Sequence, residues 1–113
     1  MDNQTVLLFT RFGMGEADPA LQKVLAEKFL SLTLEANQLP AKILFYTDGV
    51  KLACEGSSVI DQLKQMESKG VELILCKTCL DFFGLTQKVQ VGIVGGMTDI
   101  IEALAKAGKV ISL

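Results

Sequence analysis

Val71-Glu-Leu-Ile-Leu75-Cys76-Lys77-Thr78-Cys79-Leu80-Asp81-Phe82-Phe83-Gly84 is the stretch on which the reading of this chain turns. Val71 to Leu75 is a short, nearly continuous apolar run, the pattern of a strand buried on both faces. It passes without a break into Cys76. A helical turn is expected over Cys79 to Phe83, stopped by Gly84. A strand that feeds directly into a helix implies a neighbour of the same kind, and the chain on either side supplies several.

Upstream, Thr5 to Arg11 is a second buried run, followed by Asp18-Pro19, an N-cap residue before a proline at the first helical position. The helix predicted from there to about Asn37 carries Leu21, Leu25, Phe29, Leu32 and Ala36 on one stripe. Val24, Leu30 and Leu34 fall outside it, so this helix is apolar over more than one face. Lys42 to Tyr46 reads as a strand closed by the turn signal Asp48-Gly49. Ser57 or Ser58 then caps a helix that turns Val59, Ile60, Leu63 and Met66 inward and ends at Gly70.

Downstream, Val89 to Val94 reads as a fourth strand followed by Gly95-Gly96. Asp99 with Glu102 three residues on resembles a capping box opening a helix through Ala107. Gly108 ends it, and Val110 to Leu113 is a fifth strand. Five short strands alternating with helices give an α/β fold, a three-layer α/β/α sandwich on a five-stranded, mainly parallel sheet. Residues 1–113 are expected to form a single domain, without repeats or linkers.

Composition excludes several function classes. The 113 residues are 50% hydrophobic and 21% charged, which argues for a packed core and against disorder. Eleven basic against thirteen acidic residues leave no basic stripe for nucleic acid, and with 6% aromatics and no Trp a base-stacking platform is not expected. No apolar run approaches the roughly 18 residues of a membrane-spanning helix, and Asp2 and Arg11 flank too short a segment for a secretory signal. A cytoplasmic protein with no membrane partner is expected. The chain has no histidine, so Ser-His-Asp and Cys-His nucleophile pairs and His-ligated metals are excluded within it. Three cysteines, an odd count, argue against a disulfide-stapled scaffold.

In an open parallel sheet, ligands bind beyond the carboxyl ends of the strands. The segments there hold all three cysteines and the candidate site residues. Cys76 and Cys79 are the candidate catalytic pair. A strand-to-helix junction offers backbone N–H groups to a thiolate, and the second thiol can release a transferred sulfur by forming a disulfide. Lys77 adds positive potential or points to solvent. The bland alternative is two small cysteines used as compact hydrophobes. Zinc and iron–sulfur sites are short of ligands, a thioredoxin-like site would lie after an earlier strand, and no metal or other cofactor is expected. Cys54 is read as packing. Lys77, Thr78, Gly13, Gly15, Asp48, Gly49, Gly95 and Gly96 are the candidate substrate-binding positions. Gly13-Met14-Gly15 reads as a mobile loop over the site, since Glu16 and Asp18 suit an anion poorly. Gly95-Gly96 reads as a tight turn or a close backbone approach.

Leu75-Cys76-Lys77-Thr78-Cys79-Leu80-Asp81 with Gly84 resembles the signature of the DsrE/YchN-like sulfur-transfer superfamily. Ile43-Leu44-Phe45-Tyr46 running into Asp48-Gly49-Val50-Lys51-Leu52, then Gly56-Ser57 and Gly108-Lys109-Val110-Ile111, is similar to the C-terminal domain of YedF-type proteins. The resemblance covers essentially the whole chain. It implies a parallel α/β/α sheet, assembly into homo-oligomers (dimers, trimers or hexamers), and sulfur carried as a persulfide on Cys76. It also implies sulfur donor and acceptor proteins as partners, and an association with selenium metabolism. Two departures stand out. Such proteins usually carry a TusA-like domain with its own cysteine, which these residues do not contain. Relay members often have Arg before the closing glycine, where this chain has Phe82-Phe83. The multi-faced first helix and the Phe82-Phe83 pair point to an oligomer on their own account.

Overall fold

The computed structural model describes residues 1–113. Its five strands are β1 (Thr5–Phe9), β2 (Lys42–Phe45), β3 (Glu72–Cys76), β4 (Ile93–Gly95) and β5 (Lys109–Ser112). They form one sheet in the order β4-β3-β2-β1-β5, and every pairing is parallel. The helices are α1 (Pro19–Glu35), α2 (Ile60–Ser68), α3 (Lys77–Phe83) and α4 (Met97–Lys106), with 3-10 segments at Thr47–Ala53 and Thr86–Lys88. The chain steps outward from β1 to β4 and then returns to place β5 beyond β1. Right-handed crossovers therefore put α1 and α2, which pack on each other, on one face and α4 on the opposite one. The result is the α/β/α sandwich read from the sequence.

The central strands explain its stability. All five residues of β1 are buried, as are Ile43, Leu44 and Phe45 of β2 and Leu73 to Cys76 of β3. The Phe9 and Phe45 rings, paired across neighbouring strands, stack with centroids 5.8 Å apart. Asp18 caps α1 by accepting a hydrogen bond from the Ala20 N–H at 2.9 Å, with Pro19 in the first turn. Gly84 ends α3 in the left-handed conformation, φ 68°, which a residue bearing a Cβ adopts only at a cost.

Several elements depart from the sequence reading. Helix α1 buries Ala26 and Leu30, whereas Leu21, Leu25 and Leu32 of the expected inward stripe are exposed, Leu32 to 61%. A helix apolar on several faces offers more than one candidate inward face, and packing against the sheet selected the one carrying the small Ala26. Strand β4 is only Ile93–Gly95, because Val89 is diverted into an antiparallel bridge with Cys54. Glu55 N–H donates to the Lys88 carbonyl at 2.8 Å and Gln90 N–H to the Ala53 carbonyl at 2.9 Å, so the apolar run is extended but paired elsewhere. Helix α4 begins two residues before Asp99. Asp99 is its third residue, and its carboxylate accepts the Gly96 N–H at 2.9 Å, while Glu102 pairs with Lys106. Val59 precedes α2 without a side-chain cap, although its N–H reaches Ser57 Oγ at 3.2 Å. Asp48-Gly49 opens a 3-10 helix rather than a plain turn.

Candidate functional site

The carboxyl ends of β2 and β3 bring the 3-10 segment Thr47–Ala53 and helix α3 together. Helix α3 starts at Lys77, two residues earlier than its sequence suggested, which makes Cys76 the N-cap and Cys79 the third helical residue. Those two positions are the ones whose side chains face each other at a helix start, the geometry that serves a capping box. The C-x-x-C spacing therefore brings the two thiols to one helix start, and Cys76 is among the groups that act on the Cys79 thiol. Lys77 and Thr78, on the first and second helical positions, are exposed.

Cys76 is fully buried and Cys79 half-buried. Burial pushes the Cys79 thiol up from its ordinary value. A hydrogen bond from the Thr47 N–H, 3.1 Å from Cys79 Sγ, opposes that shift, and Cys76 and Asp48 add to it. The Lys77 ammonium bonds Asp81 at 2.7 Å on the exposed face of α3, where that contact and Thr86 hold the Asp81 carboxyl below its ordinary value. Lys77 is thus the solvent-facing, paired lysine rather than a free cation aimed at the thiols. Cys54 is buried, donates to the Val50 carbonyl at 3.2 Å, and has its thiol pushed up by burial, as expected of a packing cysteine.

The glycine candidates separate by location. Gly49 lies flush against the end of β1, where an added Cβ would sit 2.6 Å from the Phe9 carbonyl carbon. Gly95 pairs with Cys76 across β3 and β4, and Gly96 caps α4 with its N–H already taken by Asp99. Gly13 and Gly15 do not form a free lid. Met14 N–H donates to the Gln22 carbonyl at 2.9 Å, and Gln22 Nε2 donates to the Gly15 carbonyl at 2.8 Å, so the loop is fastened to α1. The residues flanking that loop line a cavity of about 620 Å³, where Arg11, Phe12 and Glu16 face Asp48, Leu52 and Val59. No cysteine lines it. Arg11 there is engaged by the Leu113 carbonyl at 3.4 Å and by Glu16 at 3.9 Å. Nowhere do three or more His, Cys, Asp or Glu residues converge as a metal site.

Thr47 is the site residue that the sequence reading missed. Its φ of 49° lies in the left-handed region, unusual for a β-branched residue, and its backbone N–H is the donor to Cys79. Only its place beside the Asp48-Gly49 turn signal hinted at it.

The chain is thus a small α/β/α domain on a parallel five-stranded sheet, with a cysteine closing its third strand. Residues 6–113 match the model of the DsrE/DsrF-like family, and the chain belongs to that family. No curated protein sequence matches it significantly. Among solved structures, it is similar to the ychN protein of E. coli, with a TM-score of 0.71 at 18% identity over 97% of this chain and 99% of that one. A conserved protein of unknown function from Bacteroides thetaiotaomicron gives 0.69 at 16% identity, over 98% and 96% of the two chains. A protein of unknown function from Methanobacterium thermoautotrophicum gives 0.67 at 16%, over 96% and 98%. These likenesses establish the fold. No helix is long and apolar enough to cross a membrane.

Proposed function

We propose that this protein is a cytoplasmic sulfur-relay carrier whose Cys76 holds sulfane sulfur, or selenium in its place, as a persulfide. The observation that carries the reading is the pair of thiols at one helix start on the carboxyl edge of the sheet, with a backbone N–H donating to Cys79. In the loading step, the Cys76 thiolate attacks the outer sulfur of a donor persulfide. It becomes Cys76–S–SH, the transferred sulfur keeping its proton, as the donor's thiolate leaves. In release, the Cys79 thiolate attacks Cys76 Sγ, expels hydrosulfide and leaves a Cys76–Cys79 disulfide, which an external dithiol reduces. Cys54 takes no part.

Intact-protein mass spectrometry after incubation with a persulfide donor tests this on wild type, Cys76→Ser and Cys79→Ser. The expected result is a reducible gain of one sulfur atom that disappears only in Cys76→Ser. No gain in wild type, with Cys76 open to alkylation, would sink the carrier reading.

A second reading is a homo-oligomeric binding module that keeps the fold without relay chemistry. It is favoured by the complete burial of Cys76 and by the apolar side chains left on the surface. Phe82 is 84% exposed, and Leu21, Val24, Leu25 and Leu32 line the outer face of α1. Contiguous apolar surface of this kind suits a contact between copies of the chain, which both readings include. Unimpaired cellular function in a Cys76→Ser strain would select the module over the carrier.

A further inference from the structure

Thr47 holds a conformation that costs free energy, and two contacts keep it there. Its hydroxyl lies on the Thr10 carbonyl just past β1, with the Tyr46 carbonyl also in reach at 2.7 Å. Two residues on, Gly49 is packed against the Phe9 carbonyl, which fastens the 3-10 segment to the end of the same strand. A β-branched residue at φ 49° persists only where its surroundings over-determine it. What this conformation achieves is to aim the Thr47 N–H at Cys79 Sγ, 3.1 Å away.

We propose that Thr47 is a positioning residue for the cysteine site: its hydroxyl locks the left-handed backbone, and the locked N–H stabilises the negative charge of the Cys79 thiolate. The donor faces Cys79 Sγ, the sulfur on which it acts. The inference rests on Cys76 and Cys79 being the functional site, and it deepens that reading. The titratable groups on the surrounding elements are Tyr46 of β2's end, Asp48 and Lys51 of the 3-10 segment, and Lys77 and Asp81 of α3. Asp48 is paired with Lys51 at 2.6 Å, and Asp81 with Lys77. No histidine exists to titrate in the same range. The Thr47 N–H is thus the donor to Cys79 that does not itself change charge with pH.

The test is the pH profile of iodoacetamide alkylation in a Cys54→Ala background, comparing Thr47, Thr47→Ser and Thr47→Val. Valine keeps the shape and loses the hydroxyl that locks the backbone. It should move the first apparent midpoint upward and slow alkylation near neutral pH roughly tenfold, with an unchanged plateau at high pH. Serine should restore the parent profile. A valine variant of native circular dichroism whose profile overlays the parent overturns the proposal. A purely structural role would lower the urea midpoint without moving the profile. Should the valine variant fail to fold, the wild-type Thr47 amide proton decides by NMR: its shift should titrate with the alkylation midpoint, and a flat response overturns the proposal. Neither readout uses a sulfur donor. A Thr47 effect without sulfur loading retires the carrier reading alone, and loading without a Thr47 effect retires this inference alone.

Discussion

Gly49→Ala offers the sharpest test of how the site is held. The backbone of Gly49 has no positive φ, so only space forbids a side chain there. A Cβ would lie 2.6 Å from the Phe9 carbonyl carbon and 3.1 Å from the Thr10 nitrogen. Both are backbone atoms at the end of β1, which is paired to β2 on one side and β5 on the other, so neither can yield as a flexible side chain would. Relief must come from lifting the 3-10 segment, at the expense of the hydrogen bond from Tyr46 N–H to the Phe9 carbonyl at 3.2 Å. Overpacking costs about 2 kcal/mol and the lost bond about 1, so the variant should be destabilised by about 3 kcal/mol. That amounts to roughly a 2 M drop in the urea midpoint, or about 12 °C in Tm for a domain of this size. Gly56→Ala is the internal control. Gly56 has φ +95° and no atom within 4 Å of its added Cβ, so it carries a conformational cost of about 1 kcal/mol and no clash. Equilibrium urea unfolding of both variants decides between these effects. A Gly49→Ala midpoint at or above that of Gly56→Ala would refute the close-approach argument, and with it the account of what keeps Thr47 in place.

Two further outcomes follow from the packing and the buried thiols. Leu30→Ala empties a fully buried position on α1 and should cost about 3 kcal/mol in urea unfolding, whereas Leu32→Ala, one turn-face away and exposed, should stay within about 0.5 kcal/mol in dilute protein. Equal losses would mean that α1 is rotated from the described orientation. Cys54 and Cys79 both have thiols raised above the ordinary value by burial, so the folded state binds their protons more tightly than the unfolded chain does. Their contribution is fully present below the unfolded value of about 8.5 and is lost as pH rises through the folded values. The urea midpoint of wild type should therefore fall faster above pH ~8.5 than that of a Cys54→Ala/Cys79→Ala variant; parallel slopes would contradict the assignment.

The strands and the layer arrangement were legible because buried parallel strands announce themselves as short apolar runs, and Asp18-Pro19, Gly70 and Gly84 punctuate what lies between them. Orientation within an element was less legible wherever more than one solution buried apolar groups. Helix α1 offers Leu21-Leu25-Leu32 and Ala26-Leu30 as rival faces, and periodicity favours the larger set. The sheet accepted the smaller one, because Ala26 lets the helix approach and leaves the leucines outside. Val89 shows the same limit for strands. Its run is apolar and extended as its composition demands, but a partner strand is a tertiary choice, and the end of the 3-10 segment at Cys54 claimed it first.

The site divides along a different line. As candidates, Cys76 and Cys79 were legible because thiol chemistry resides in side chains and their spacing matches the N-cap and third position of a helix start. The groups that act on them need not be. Lys77, the residue whose charge suggested a role, spends that charge on Asp81 at the surface. The donor that does reach the pair is a peptide N–H, which every residue except proline possesses, so no residue type marks it in a sequence. What singles out Thr47 is its backbone conformation, and that is imposed from a distance by the Thr10 carbonyl and by the absence of a side chain at Gly49. The Asp48-Gly49 pair that reads as an ordinary turn signal is therefore part of the site's construction: the glycine permits the approach to β1, the approach sets Thr47, and Thr47 faces the sulfur.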